Sequence, residues 1–183
     1  VQNSSGDYIQ NTANAEFAFN CRDNKDIKYM QDAWFSEDCR DCTEAFAQLS
    51  LEIQGVEHAN RSIVARSCFS TITDSYYCDM CFTTQDCIGC FGLKQKQYCI
   101  LNKQYTKEVY LEMKAKIIEY MRNTKEWGEY FPSNLSPFTY NESMAQDYFP
   151  LTKTEALEKG YTWYDRPERD YKVTLATTDL PET

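Results

Sequence analysis

The sequence predicts a mainly β protein: a short parallel β-solenoid of about four coils, with a C-terminal α-helix and an aromatic, proline-rich capping segment. Three observations predict it. Between Asp26 and Ile100 short apolar segments recur at a close and nearly constant spacing. No proline occurs before Pro132, as suits a region where nearly every backbone N–H joins a ladder. No long apolar helix separates the segments, so stacked units that each bury one face against their neighbours fit the pattern.

Residues 1–105 form the repeat region. Its segments begin at Asp26, Asp38, Leu49, Arg61, Asp74, Asp86 and Lys96, in steps of 12, 11, 12, 13, 12 and 10. Each is rich in Ile, Tyr, Val, Leu and Cys and is bounded by turn-forming or polar residues. Two segments per coil give about 23 residues per coil, and four coils stand close to 20 Å tall at about 4.8 Å each. Phe17 and Phe19 alternate with small or polar neighbours, and Leu49, Leu51 and Ile53 alternate with Ser50 and Glu52, the signature of half-buried strands. Asn11, Asn14, Asn20, Asn24, Asn60, Asp74 and Asp86 stand at the joints, where left-handed backbone is tolerated.

The pattern changes at Thr106, a good N-cap. Tyr110, Met113, Ile117 and Met121 then keep one face of a helix, widened by Val109, Leu111 and Ile118 and ending near Asn123. Pro132, Pro137 and Pro150 follow among Trp127, Tyr130, Phe131, Phe138, Tyr140, Tyr148 and Phe149, a composition that reads as an ordered wrapping strip. Thr154–Lys159 reads as a short helix with Gly160 at its C-cap. Residues 106–165 are thus expected to pack on the solenoid as a cap, and 166–183 to form a flexible tail.

The chain carries 19 Lys+Arg against 28 Asp+Glu. Through Tyr105 there are 14 acidic and 9 basic residues, and beyond it 14 and 10, so both parts are acidic. That disfavours nucleic acid and anionic membrane as partners. No run of about 18 apolar residues is present to span a bilayer. The first residue is Val1, which points to a processed chain or the C-terminal part of a longer protein.

Of nine cysteines, six form C-x-x-C units: Cys39/Cys42, Cys78/Cys81 and Cys87/Cys90. In a chain long enough to build a core without staples, reduced thiols are expected, and with them a cytoplasmic location. Small buried hydrophobes in a stacked core account for the cysteines. The alternative is a Zn²⁺ held by Cys78, Cys81, Cys87 and Cys90, although the short gap between the two units is tight for two facing knuckles. Disulfides are a third reading. His58, the sole histidine, reads as solvated surface. Asp74, Asp79 and Asp86 sit where carboxylates satisfy turns. Gly89 and Gly92 flank a turn and do not form a phosphate cradle.

From Asp86 to Trp163 the stretches DCIGCFGLKQKQYCILNKQYTKEVY, WGEYFPSNLSPFTYNESMAQDYFPLT and EALEKGYTW resemble the C-terminal part of an uncharacterised cysteine-rich family of candidate-phyla bacteria. The upstream NSSGDYIQN and NCRDNKDIKYM resemble the family's Asn-Cys repeats. The resemblance implies no established activity. Longer members carry an N-terminal part with further C-x-x-C units, suggestive of zinc binding, that is missing here. Some members carry a CoA-transferase label, for which this chain holds no supporting residue.

These readings point to a non-catalytic structural or protein-interaction solenoid with no cofactor and no catalytic residues. Its partner would be another protein or the missing N-terminal part, with homo-oligomerisation through the N-terminal solenoid end also open. A zinc-stabilised binding module is the alternative. An enzyme acting on polysaccharide along a solenoid groove is the third reading.

Overall fold

From Thr12 onward one residue in three points inward. Thr12, Ala15, Ala18, Cys21, Asn24, Ile27, Met30, Ala33, Ser36, Cys39 and Cys42 are all buried. The residue before most of them has left-handed backbone: Asn11, Asn14, Phe17, Asn20, Asp23 and Asp26 have φ between +49° and +57°. Asn and Asp accept that geometry most readily among residues with a Cβ, which is why they recur along this sequence. The chain therefore bends after every third residue, and four such triplets close a coil. The computed structural model describes residues 1–167 and, of Glu44 and Ala45, only the backbone.

The result is a parallel β-solenoid of about eight turns. Its strands are β1 (Gly6–Gln10), β2 (Ala13–Arg22), β3 (Lys25–Gln31), β4 (Glu37–Asn60), β5 (Ile63–Arg66), β6 (Phe69–Thr73), β7 (Tyr76–Asp79), β8 (Phe82–Ile88), β9 (Gln97–Ile100) and β10 (Lys103–Gln104). Partners over β1–β4 differ by 12 in sequence number, as in Ala18↔Met30 and Met30↔Cys42. The step becomes 13 at His58↔Thr71 and Ile63↔Tyr76 and returns to 12 at Cys87↔Cys99. The inward series absorbs these changes: it resumes at Ala47 after Cys42, and at Ile72 after Cys68.

Two sequence expectations are corrected. Each apolar segment is a whole coil rather than half of one, so about eight coils stand where about four were expected, roughly 38 Å tall at about 4.8 Å each. The period is also three rather than two. Phe17 and Phe19 point outward at 49% and 45% exposure while Ala18 between them is buried, and Ser50 is inside while Leu49 is exposed. The left-handed residue in each triplet rotates the chain, so strand alternation never becomes established.

Inward serine, threonine and cysteine side chains share one task. With the exception of Thr84, each donates to the carbonyl two residues back: Thr12 to Gln10 at 2.9 Å, Ser50 to Gln48 at 2.7 Å, Ser75 to Thr73 at 3.0 Å, Cys39 to Glu37 at 3.1 Å. A buried carbonyl left unpaired would be costly. Asn24 does more, donating Nδ2 to the Ala33 carbonyl at 2.9 Å and accepting from the Ser36 N–H at 2.7 Å. Outside, left-handed corners pair with those one coil away, as Asn11 with Asp23 at 3.0 Å and Asn14 with Asp26 at 2.7 Å.

The last coil is finished by side chains and a fold-back. β10 pairs antiparallel with β9. Asn102 imitates a neighbouring strand, accepting the Phe91 N–H at 2.9 Å and donating to the Phe91 carbonyl at 2.8 Å.

Helix α1 (Lys107–Asn123) is capped by the Thr106 side chain, which accepts from the Val109 N–H. Its Tyr110, Met113 and Ile117 pack against the outward column Tyr76, Ile88 and Ile100, with Tyr98 and Tyr105 beside them. The register Tyr76↔Ile88 and Ile88↔Ile100 makes that column a continuous apolar stripe. Trp127 extends the cover, its ring 5.2 Å from Tyr76 and 6.1 Å from Tyr77. The Tyr77 hydroxyl ties this segment down, donating to the Glu126 carbonyl and accepting from the Gly128 N–H, both at 2.8 Å. The helix thus lies along a flank of the solenoid. No helix among the described residues is long and apolar enough to cross a membrane.

The chain divides after Tyr130 into two compact units, Val1–Tyr130 and Phe131–Thr183. Phe131 and Phe149 of the second unit are exposed, at 43% and 72%. That unit holds α2 (Ala145–Tyr148) and α3 (Lys153–Glu158). Thr152 and Glu155 form a capping box on α3, and Gly160 follows with φ +82°. The Asn141 amide bonds both the N–H and the carbonyl of Tyr164 at 2.9 Å. Of the expected tail at 166–183, residues 168–183 lie outside the described ones.

Tyr110 is fully buried and its hydroxyl has no hydrogen-bond partner among the described residues. Burial, followed by the charge of Asp86, pushes its pKa up. Tyr110→Ala should cost about 3–5 kcal/mol in urea unfolding. Tyr110→Phe, which removes an unpaired buried hydroxyl, should cost nothing or add about 1 kcal/mol. The unfolded chain releases this proton near pH 10 while the folded chain holds it, so the tyrosine's contribution is lost as pH rises above about 10. Stability of Tyr110→Phe measured across that range should therefore fall less steeply than that of the parent.

Candidate functional site

The chemistry-bearing side chains divide between the axis of the solenoid and its outer faces. All nine cysteines are free and buried. The inward spacing of three makes every C-x-x-C unit a pair of neighbouring inward positions on one coil. The coil period of 12 or 13 stacks further cysteines above them.

The two effects link six thiols into one contiguous chain. Cys81 meets Cys68 and Cys78, Cys90 meets Cys78 and Cys87, and Cys87 also meets Cys99. Cys39 and Cys42 make a separate pair. Thiol hydrogen bonds and then burial push Cys42, Cys68, Cys78 and Cys87 up. Burial is the leading cause for Cys21 and Cys99. Cys81 and Cys90 each accept from two neighbouring thiols and are pulled down relative to them. The four sulfurs considered for zinc thus adjoin in the order Cys81, Cys78, Cys90, Cys87. Among the described residues, no group of three or more His, Cys, Asp or Glu is placed to hold a metal ion.

Outside, the carboxylates at the repeat joints are ion-paired. Asp74 takes two bonds from Arg61, at 2.8 and 2.6 Å, which hold its carboxyl below the usual range. Asp79 meets Arg66 at 2.6 Å and Asp86 meets Lys114 at 3.7 Å. Gly89 and Gly92 take φ +61° and +67°, the corners of their coil.

His58 is exposed, as expected, and belongs to an aromatic row. Its ring lies 5.6 Å from Phe46, which in turn is 6.2 Å from Phe35 and 6.0 Å from Trp34. With Gln48, Asn60 and Thr71, the rings of Phe35, Phe46 and His58 line an open recess of about 440 Å³. It sits where the inward series is displaced between Cys42 and Ala47.

A second row lies on the first coils. Phe17 stacks on Tyr29 at 5.3 Å and 11°. Lys28 and Arg40 approach the Tyr29 ring at 5.0 and 5.8 Å. Tyr8, Phe19 and Phe35 nearby in the sequence are exposed at 89%, 45% and 64%. Sequence reasoning placed Phe17 and Phe19 inside, and so missed this surface. The available signal was the aromatic spacing of 12 in Phe17/Tyr29 and Trp34/Phe46, which equals the coil length. A scan against protein-family models gave no match to this chain, and a search of curated proteins gave none.

Native protein treated with a bulky thiol reagent should be modified at few of its nine cysteines, and denatured protein at nearly all. Counting adducts by intact mass spectrometry checks this. Rapid modification of Cys78 or Cys90 in the folded state would contradict their burial.

Proposed function

We propose that this chain is a non-catalytic interaction solenoid whose partner is a protein, bound on the aromatic flank of the N-terminal coils. The observation that carries this reading is the exposed Phe17–Tyr29 stack with Lys28 and Arg40 against it. Tyrosine and arginine are enriched where interfaces gain most of their affinity, because both cover large area at modest conformational cost. Isolated exposed apolar residues are ordinary; rows of them stacked at the coil spacing mark an interaction surface.

A contrast within the first unit supports the choice of flank. The apolar stripe of Tyr76, Ile88 and Ile100 is covered by α1, whereas the stacked rings of Phe17 and Tyr29 stay open at 49% and 43%. An inert scaffold would gain solubility from polar residues at those outward positions, as at Glu16 and Arg22.

The double variant Phe17→Ala/Tyr29→Ala should fold normally, because both side chains are outward, with stability within about 0.5 kcal/mol of the parent. A photo-cross-linking residue introduced at Gln31, on the same coil, should capture a defined partner in source cells. In the double-variant background that product should fall at least tenfold. Equal capture in both backgrounds would sink the assignment of this flank.

A further inference from the structure

We propose that three cysteine pairs on consecutive coils, Cys68/Cys81, Cys78/Cys90 and Cys87/Cys99, are oxidation sites that become inter-coil disulfides. The register fixes the pairing. Cys87 lies directly opposite Cys99. Cys78 and Cys90 precede the bridged residues Asp79 and Phe91, and Cys68 and Cys81 precede the paired Phe69 and Phe82. Neighbouring strands set such Cα atoms about 4.8 Å apart, inside the roughly 4.4–6.8 Å that disulfides span. The thiols of each pair are neighbours that perturb one another, and all six are free.

The pattern is not what core packing alone requires. Serine meets the same demand for a donor to the carbonyl two residues back, at Ser50, Ser62 and Ser75. From Cys68 onward, however, cysteine holds six of the inward positions, and each of the six has a cysteine at the matching place on an adjacent coil. The other three, Cys21, Cys39 and Cys42, have no such counterpart: the matching places hold Ala33, Ile27 and Met30.

The co-reactant is a low-molecular-weight disulfide such as oxidised glutathione. The thiolate of one cysteine attacks it, forming a mixed disulfide and releasing one small thiol. The second cysteine, losing its proton, then displaces the other small thiol as the inter-coil S–S bond closes. Each pair is oxidised by two electrons, and each small disulfide is reduced to two thiols. Because the sulfurs are buried, oxidation proceeds when coils open, and the bridges then hold coils together that would otherwise part.

The full chain would be incubated with oxidised glutathione a few degrees below its melting temperature, blocked with an alkylating reagent and digested without reduction. Peptides joining Cys68 to Cys81, Cys78 to Cys90 and Cys87 to Cys99 are expected, with a melting temperature that rises and returns on reduction. The double variant Cys78→Ser/Cys90→Ser, whose hydroxyls can still donate as neighbouring serines do, should lose its own bridge and keep the other two. Cys21→Ser should keep all three. Bridges within the C-x-x-C units, bridges between molecules, or no bridge while all nine thiols stay alkylatable would each overturn the proposal.

Discussion

The left-handed residue that recurs in nearly every triplet is the constraint on which the first unit depends. It turns the chain soon enough for four triplets to close a coil, leaving a narrow interior entered by one side chain in three. Many interior side chains are therefore small, and Ala15, Ala18, Ala33, Ser62, Ala65 and Cys78 are all nearly inaccessible. A short inward side chain can also donate to the carbonyl two residues back, a bond that serine, threonine and cysteine make here. Geometry thus admits cysteine at these positions without requiring it, and decides which sulfurs stand side by side.

The same repetition builds the exterior. Every outward residue meets its counterpart one coil away, so ladders arise wherever the sequence repeats a type at the coil spacing. Lys25 meets Glu37 at 2.8 Å, Lys28 meets Glu16 at 2.6 Å, and Arg61 meets Asp74. Singly, such exposed pairs are worth about 0–1 kcal/mol. Their value lies in register, since a coil displaced by one position would set like charges or apolar rings against them. The aromatic rows obey the same rule, which is why Phe17 finds Tyr29 and Phe69 finds Phe82 at 5.6 Å.

Much of this was legible in the sequence. The short, regular recurrence of apolar segments pointed to the solenoid, and Thr106 with the Tyr110, Met113 and Ile117 spacing pointed to α1 and its buried face. The length of one coil was not legible in the same way. Apolar residues occupy both inward and outward positions, so Leu49, Leu51 and Ile53 imitate strand alternation although Ser50 and Ile53 are the inward pair. Left-handed backbone at Tyr29, Leu49, Val64 and Tyr77 also carries no local signature, since nothing in those residue types asks for it; only the stacked neighbours impose it. The C-x-x-C units were visible, but their contacts across coils needed the register. The exposed aromatic flank was hidden because Phe17 and Phe19 were read as the buried face of a strand.

The two halves of the solenoid solve one energetic problem differently. Buried alanine, serine and cysteine remove little apolar area from water, so a coil of them gains less than a conventional core layer at roughly 25 cal/mol per Å². The C-terminal coils add a second layer outside: Tyr110 is wholly buried, and Trp127 and Met113 press on the same stripe. The N-terminal coils carry larger inward residues, Ile27 and Met30, and their corners are joined by Asn and Asp side chains. Their outer faces need no helix to cover them, and it is on those faces that the exposed aromatic rows stand. A surface left uncovered is the one that can be given over to a partner, while the half whose coils rely on small thiols is the half that its own helix flanks.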